Sequence, residues 1–370
     1  MTYDMGHGGY GTGGANGGWG SGWTPPPGPP KPGVIPLGPL RVSEILNGAF
    51  ATVGRYWKQL LGTALAAYGM AALLMAGAVA IAYLSVSDHV RTIFDERDAA
   101  EPPWAEIRPL VIAFVCLWIF AMILVMTANA VIQAACPAIV QQAVLGRPIT
   151  FGETARKAGS RLASVLGAAL LTALTAVPPM ALFLLGFTGL LFLPNHVDGW
   201  PFHGPMWLFP VGLLGALALM PLSIWLWTRF SLAPSVAVIE SSGPITALRR
   251  SARLVRGAWW RIFGVSLLGY LLAGVAAALI QQAVNLVGII TGQLNFATTG
   301  SDPSPAQFLA FLGGYMAITL VAGVISQIVT AAFPQLVINL LYVDQRIRTE
   351  NLGPVLANAA NTANTPQPTP

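Results

Sequence analysis

Charge is what this sequence has least of. Only 9% of its residues are Asp, Glu, Lys or Arg, while 55% are hydrophobic; a soluble domain usually carries about 25% charged residues. The length would allow two soluble domains, but the composition excludes them. Cysteine is nearly absent too. Cys116 and Cys136 fall on one expected helix, and twenty residues of helix separate them by about 30 Å, so they cannot pair within the chain. Both are expected to be small buried hydrophobes. Catalytic signatures are missing. There is no glycine-rich loop followed by Lys-Ser or Lys-Thr, no His-Glu-x-x-His helix and no Gly-x-Ser-x-Gly turn. Of the four histidines, His7 lies in a Gly-rich tail and His89 in an acidic loop, while His196 and His203 flank Asp198. That last trio lacks metal-ligand spacing and reads as loop decoration. No enzyme activity, metal or cofactor is expected. No carboxylate lies in the middle of a long apolar run, and such groups are the usual mark of ion-coupled transport. A basic start followed by an apolar core and a cleavage site is also missing, so no cleavable leader is expected.

What is present is lipid-seeking sequence. Six uncharged runs, near 59–87, 109–135, 162–193, 206–228, 262–292 and 306–333, each exceed the ~20 apolar residues that cross a bilayer. The fold expected is therefore an all-α, polytopic membrane domain over residues 39–350. Two polar tails flank it. Residues 1–38 hold thirteen Gly and seven Pro, a composition that cannot bury enough surface to order itself. Residues 351–370 form a second disordered tail. Within the first, the PPPGPP run suits polyproline geometry or a plain flexible tail.

The connecting segments set an orientation. The segment from Ser87 to Arg108 carries six acidic residues against three arginines, and those around Asp198 and Asp302 carry no Lys or Arg. The opposite side holds Arg41, Arg55, Lys58, Arg147, Arg156, Lys157, Arg161, Arg346 and Arg348. The positive-inside rule makes this second side cytoplasmic, with both termini there. A bacterial cytoplasmic membrane is the expected location. The net charge of +5 points to its anionic headgroups as partner rather than to nucleic acid. A partner module for the polyproline run is an alternative to a plain flexible tail, and the sequence does not identify a protein partner.

The richest cationic stretch is Pro244 to Arg261, with five of the nineteen basic residues. Read as one helix, it places Leu248, Ala252, Val255 and Trp259 on an apolar face. Arg249, Arg253 and Arg256 lie beside them, as in a helix lying flat on a membrane. Arg249, Arg250, Arg253, Arg256 and Arg261 are thus candidate contacts for anionic lipid. Arg229, near the end of the fourth run, joins them by snorkelling to the phosphates. Related stretches occur earlier. Pro39-Leu40, Pro148-Ile149-Thr150 and Pro244-Ile245-Thr246 each precede an amphipathic pattern. In the first, Val42, Ile45, Leu46, Ala49, Val53, Tyr56, Trp57 and Leu60 share a face. A pair of runs follows each pattern, and the second run of each pair ends at Pro137, Pro234 or Pro334. Those prolines are 97 and 100 residues apart. Three units follow, about 39–147, 148–243 and 244–350, each a cytoplasmic interfacial helix and then a two-helix hairpin. The prolines either kink their helices or terminate them.

Small residues four apart (Ala72, Ala76 and Ala80; Gly212 and Ala216; Ala273 and Ala277; Gly313 and Ala317) suit close helix packing. The amides Asn129, Gln133, Gln281, Gln282, Asn285, Gln327 and Asn339 suit hydrogen bonds between helices. Trp200, Trp207, Trp225, Trp227, Trp259 and Trp260 sit near run ends, as an interfacial belt requires.

The pieces GPLRVSEILNGAF, SLAPSVAVIESSGPITALRRSARLVRGAWWRIFG and LLYVDQRIRTENL resemble a group of actinobacterial integral membrane proteins. That group is described by the membrane domain of glycerophosphoryl diester phosphodiesterase. The resemblance spans about residues 37–353. In the bifunctional phosphodiesterases this part precedes a catalytic barrel, whose His-Arg-Gly signature does not occur here. The resemblance implies a membrane module rather than an esterase, and it assigns no functional residue. Two functions are compatible with the pattern. One is a non-catalytic scaffold or lipid-interacting module. The alternative is a transporter or flippase-like protein with a polar path between hairpins.

Overall fold

A computed structural model describes residues 33–36, 38–95, 104–191, 207–299, 305–351, 354, 355 and 358. Among these there is no strand. The helices are α1 (Val42–Asp95), α2 (Trp104–Val144), α3 (Phe151–Ala173), α4 (Val177–Leu191), α5 (Leu208–Phe230), α6 (Ala233–Ile239), α7 (Pro244–Val255), α8 (Trp259–Thr299) and α9 (Pro305–Glu350). A short 3-10 turn, Leu174–Ala176, joins α3 to α4. Six helical stretches are long and apolar enough to cross a membrane, as a multi-pass membrane protein requires. The acidic segment after Ser87 begins as helix, because α1 continues to Asp95. His7, His196, Asp198, His203, Asp302 and most of both tails lie outside the described residues.

The apolar stretches are 0–28% buried within the chain. Leu73, Ile81, Leu84 and Phe114 are about 70% exposed, which suits lipid and not water. Cys116 shares this outward surface, contrary to the buried position expected of it, whereas Cys136 is buried. The first and second halves of the apolar pairs pack on one another: α1 on α2, α4 on α5, and α8 on α9.

The protein core lies at one end, where the arginines gather, and the three prolines are at its centre. Residues 134–140, 231–237, and 332–345 apart from Gln335, are buried. These segments of α2, α6 and α9 touch one another in every pairing. Two of the three prolines do not end a helix, whereas α5 stops at Phe230, four residues before Pro234. Pro137 and Pro334 sit inside helices that continue past them, and Pro234 is in the first turn of α6. The residues after them form the core: Ile139, Val140, Val236, Leu336, Leu340 and Leu341 are fully buried where these elements meet.

Around this core lie α7 and the first turns of α1 and α3. Counted from each helix's first residue, positions 4 and 8 are buried in all three: Ile45 and Ala49, Thr154 and Ala158, Ala247 and Ser251. The Pro-Ile-Thr motifs are not equivalent at this level. Thr150 is the N-cap of α3, in a capping box with Glu153, whereas Pro244 is itself the first residue of α7. In α1 the Glu44 carboxylate accepts from the Arg41 N–H at 2.6 Å, the same reach back from the third helical residue. The 54-residue α1 is too long for one span and breaks helical geometry at Tyr56. The third stretch breaks at the matching place. There α7 stops at Val255, Gly257 takes φ +87°, and α8 starts at Trp259. Pro244 to Arg261 is therefore not one helix, and its buried face is Ala247, Ser251, Leu254 and Val255, not the face centred on Leu248.

Residues 33–36 are not part of a free tail. Ile35 and Val34 are buried, and the Val34 N–H donates to the Ala143 carbonyl at 3.1 Å. Of the small-residue sets, Gly212 with Ala216 faces inward, and so does Ala273. Ala72, Ala76, Ala80, Gly313 and Ala317 are exposed.

Candidate functional site

The candidate site is the arginine-rich end. Its inner arginines are held by carboxylates. The side chain of Asp344 is fully buried. Its Oδ1 accepts from the Leu40 N–H at 2.8 Å and from Arg348 Nε at 2.9 Å, and its Oδ2 accepts from Arg261 Nη2 at 2.7 Å. The Leu40 carbonyl accepts from Arg261 and Arg348, at 2.7 and 2.9 Å. One buried carboxylate thus ties the strap before α1 to α8 and α9. A charge is tolerated in such a place only when paired and hydrogen-bonded.

A second network joins α6, α7 and α9. Glu240 Oε1 accepts from the Tyr342 hydroxyl at 2.9 Å and from Arg250 Nε at 3.3 Å. Glu350 accepts from Arg250 and, at 2.8 Å, from Arg346 Nε. Burial works against the charge on Arg250, but Glu240 and Glu350 outweigh it and hold the guanidinium above its ordinary pKa. Arg250 and Arg261 are therefore engaged inside the chain. Both had been expected to contact lipid, and the pattern of cations alone carried no sign of Glu350, 100 residues from Arg250, or of Asp344, 83 residues from Arg261.

Arg249, Arg253 and Arg256 point outward from α7 and are exposed. Arg229, in the last turn of α5, lies over the Trp225 ring with its guanidinium carbon 4.9 Å from the centroid. The buried Ser251 hydroxyl donates to the Arg229 carbonyl at 2.9 Å and so fastens α7 to the end of α5. Trp259 Nε1 donates to the Trp225 carbonyl at 3.4 Å, and the Trp259 ring stacks on Phe263 at 5.1 Å. These contacts frame an open cleft of about 460 Å³ between α5, α7 and α8, lined by Trp225, Arg229, Val255, Arg256, Gly257 and Trp259 among others. Sequence reasoning singled out both arginines but did not bring them together, because the contact of α7 with the end of α5, fastened by Ser251, is made only in the folded chain.

Two apolar grooves occupy comparable places. One, of about 340 Å³, lies between the start of α1 (Phe50, Trp57, Leu61) and α8 and α9 (Leu272, Val329, Phe333). Another, of about 380 Å³, lies between the start of α3 (Phe151, Leu162) and α1 and α2 (Met70, Leu124). A smaller cavity of about 170 Å³ is lined by Gln133, Thr172, Ser231, Tyr270 and Gln335, where α2, α3, α5, α6, α8 and α9 meet.

Of the apolar-run amides, Asn129 and Gln327 meet. The Tyr68 hydroxyl donates to Asn129 Oδ1 at 2.9 Å and accepts from Gln327 Nε2 at 3.3 Å, joining α1, α2 and α9. Gln281 bonds Asn285 one turn on, and Asn339 bonds back to the Gln335 carbonyl. No group of three or more His, Cys, Asp or Glu that could hold a metal occurs among the described residues.

No curated protein and no solved structure matches the chain. A family model described as Domain of unknown function (DUF7847) matches residues 51–336, which takes in the six apolar stretches, the three prolines and the arginine cleft, and the chain belongs to that family.

Proposed function

We propose that this protein is a non-catalytic scaffold or lipid-interacting module of the bacterial cytoplasmic membrane. Its arginine-rich end lies on the cytoplasmic side, together with both termini. The domain is built from three units, 39–147, 148–243 and 244–350, each an interfacial helix followed by a hairpin. The shared buried positions 4 and 8 of α1, α3 and α7 support that division. So does the pairing of α1 with α2, α4 with α5 and α8 with α9.

The observation that carries the functional reading is the sorting of arginines at this end. Arg250, Arg261, Arg346 and Arg348 are matched to Glu240, Asp344 and Glu350 inside the chain. Arg249, Arg253 and Arg256 face outward beside the ends of apolar stretches, where this reading puts the lipid phosphates. Cations so placed each contribute about 1 kcal/mol at an anionic surface. Full-length protein extracted from nanodiscs of mixed phosphatidylglycerol and phosphatidylcholine should retain mainly the anionic lipid, as counted by native mass spectrometry. Arg249→Gln, Arg253→Gln and Arg256→Gln together should weaken the preference several-fold. Retention in the bulk ratio by the unaltered protein contradicts the reading.

The partly polar cavity between the units, with Gln133, Thr172, Ser231 and Gln335 in its lining, favours a second reading, a path for a polar group through the domain. Scrambling of a fluorescent lipid by the reconstituted protein would favour this path, and its absence the scaffold.

A further inference from the structure

We infer that the cleft between α5, α7 and α8 is a discrete site for the phosphate of one anionic phospholipid, and that it is chemically distinct from the two apolar grooves placed like it. The inference rests on the lipid-interacting reading and deepens it from a charged face to a defined site.

Each of the three hollows lies where an interfacial helix of one unit meets an apolar stretch of the unit before it, with the first unit following the third. The start of α1 covers α8 and α9, the start of α3 covers α1 and α2, and the junction of α7 with α8 covers α5. The first two are lined almost wholly by apolar side chains. Only the third is lined by arginines: Arg229 and Arg256 converge there, and no carboxylate is among its lining residues. Two like charges facing one hollow repel each other unless an anion lies between them. Its volume of about 460 Å³ falls in the range of small-molecule sites, about 300–1,000 Å³.

The depth of the cleft selects the anion. The uncharged run of α5 ends at Arg229, and that of α8 begins after Arg261. The cleft therefore sits where lipid hydrocarbon gives way to headgroups. Trp225 and Trp259 wall it with rings that prefer that boundary. A lipid whose chains lie along the exposed faces of α5 and α8 brings its phosphate to this point. A zwitterionic lipid does so too, but its own cation competes with the arginines. The arrangement is preformed, since the Trp225 ring holds Arg229 in place and Ser251 holds its backbone.

The test is photocrosslinking of the full-length protein in phosphatidylcholine nanodiscs. The probe is a trace of diazirine-bearing phosphatidylglycerol or, in parallel, phosphatidylcholine, and the products are mapped by mass spectrometry. Phosphatidylglycerol should label the segments around Trp225 and Trp259 several-fold more than phosphatidylcholine does. Each cation at such a surface is worth about fivefold in affinity. Arg256→Gln alone, an exposed substitution that leaves the core intact, should lower this labelling about fivefold. Arg229→Gln with Arg256→Gln should reduce it to the phosphatidylcholine level, whereas Arg249→Gln with Arg253→Gln should leave it unchanged. If phosphatidylglycerol labels α7 broadly and Arg229→Gln with Arg256→Gln has no effect, the discrete site is overturned and the lipid-interacting reading stands. If phosphatidylglycerol labels no segment above phosphatidylcholine, both fall. Displacement by millimolar inorganic phosphate would overturn the lipid as occupant in favour of a soluble anion.

Discussion

Asp344 shows how much a single side chain can hold at this end of the molecule. It is wholly buried, it receives two guanidiniums and a backbone N–H, and it bridges parts of the chain 304 residues apart. Removing one partner of a buried pair leaves uncompensated charge and costs about 3–5 kcal/mol. Asp344→Asn should therefore destabilise the protein strongly, read as a fall in the thermal unfolding midpoint in detergent. Arg348→Gln, which removes a more exposed partner and leaves Asp344 with Arg261, should cost less. Equal midpoints for Asp344→Asn and the unaltered protein would show that the triad is not structural. The charged residues were easy to see in the sequence, but their division into inner and outer sets was not. Arg250 and Arg253 look alike on a helical wheel. Only the positions of Glu240 and Glu350 beside the α7 face separate them: Glu240 lies ten residues back across a turn and Glu350 one hundred residues on, and folding brings both to Arg250.

Among the elements, the six apolar stretches were fully legible, because length and lack of charge suffice to mark a helix that can cross a bilayer. The interfacial patterns were legible in outline: Ile45, Ala49, Tyr56 and Leu60 are buried as the spacing of α1 implies. The fate of the prolines was not. A proline at the end of an apolar run signals either a stop or a kink, and the buried continuation of α2 and α9 depends on three such segments meeting, which no local signal encodes. Small-residue spacing was similarly ambiguous in an Ala-rich chain. It fails for Ala72, Ala76 and Ala80, and it holds at Gly212. A Cβ on Gly212 would lie 2.4 Å from Gly186 Cα, so α4 and α5 touch backbone to backbone. Gly212→Val should force these helices apart and lower the unfolding midpoint. Gly274→Val, with nothing within 4 Å of its added Cβ, should have little effect. A midpoint for Gly212→Val no lower than that for Gly274→Val would show that the close approach carries no stability.

At the scale of the whole molecule, two solvents divide the protein. Its apolar stretches are largely uncovered by the chain itself and are completed by lipid. Its self-buried core is confined to the arginine-rich end, where three proline segments meet inside a ring formed by α7 and the starts of α1 and α3. That end is thus a folded platform with paired charges within and the outward-facing Arg249, Arg253 and Arg256 on its surface. The central claim is that this platform rests against anionic headgroups through α7 and the end of α5. Amide hydrogen exchange of the full-length protein, compared between phosphatidylcholine nanodiscs and nanodiscs containing phosphatidylglycerol, tests it most directly. The account predicts slower exchange in the anionic discs over residues 225–230 and 244–258, with the core segments 134–140 and 336–345 unchanged. Identical exchange over residues 225–230 and 244–258 in the two membranes would contradict it.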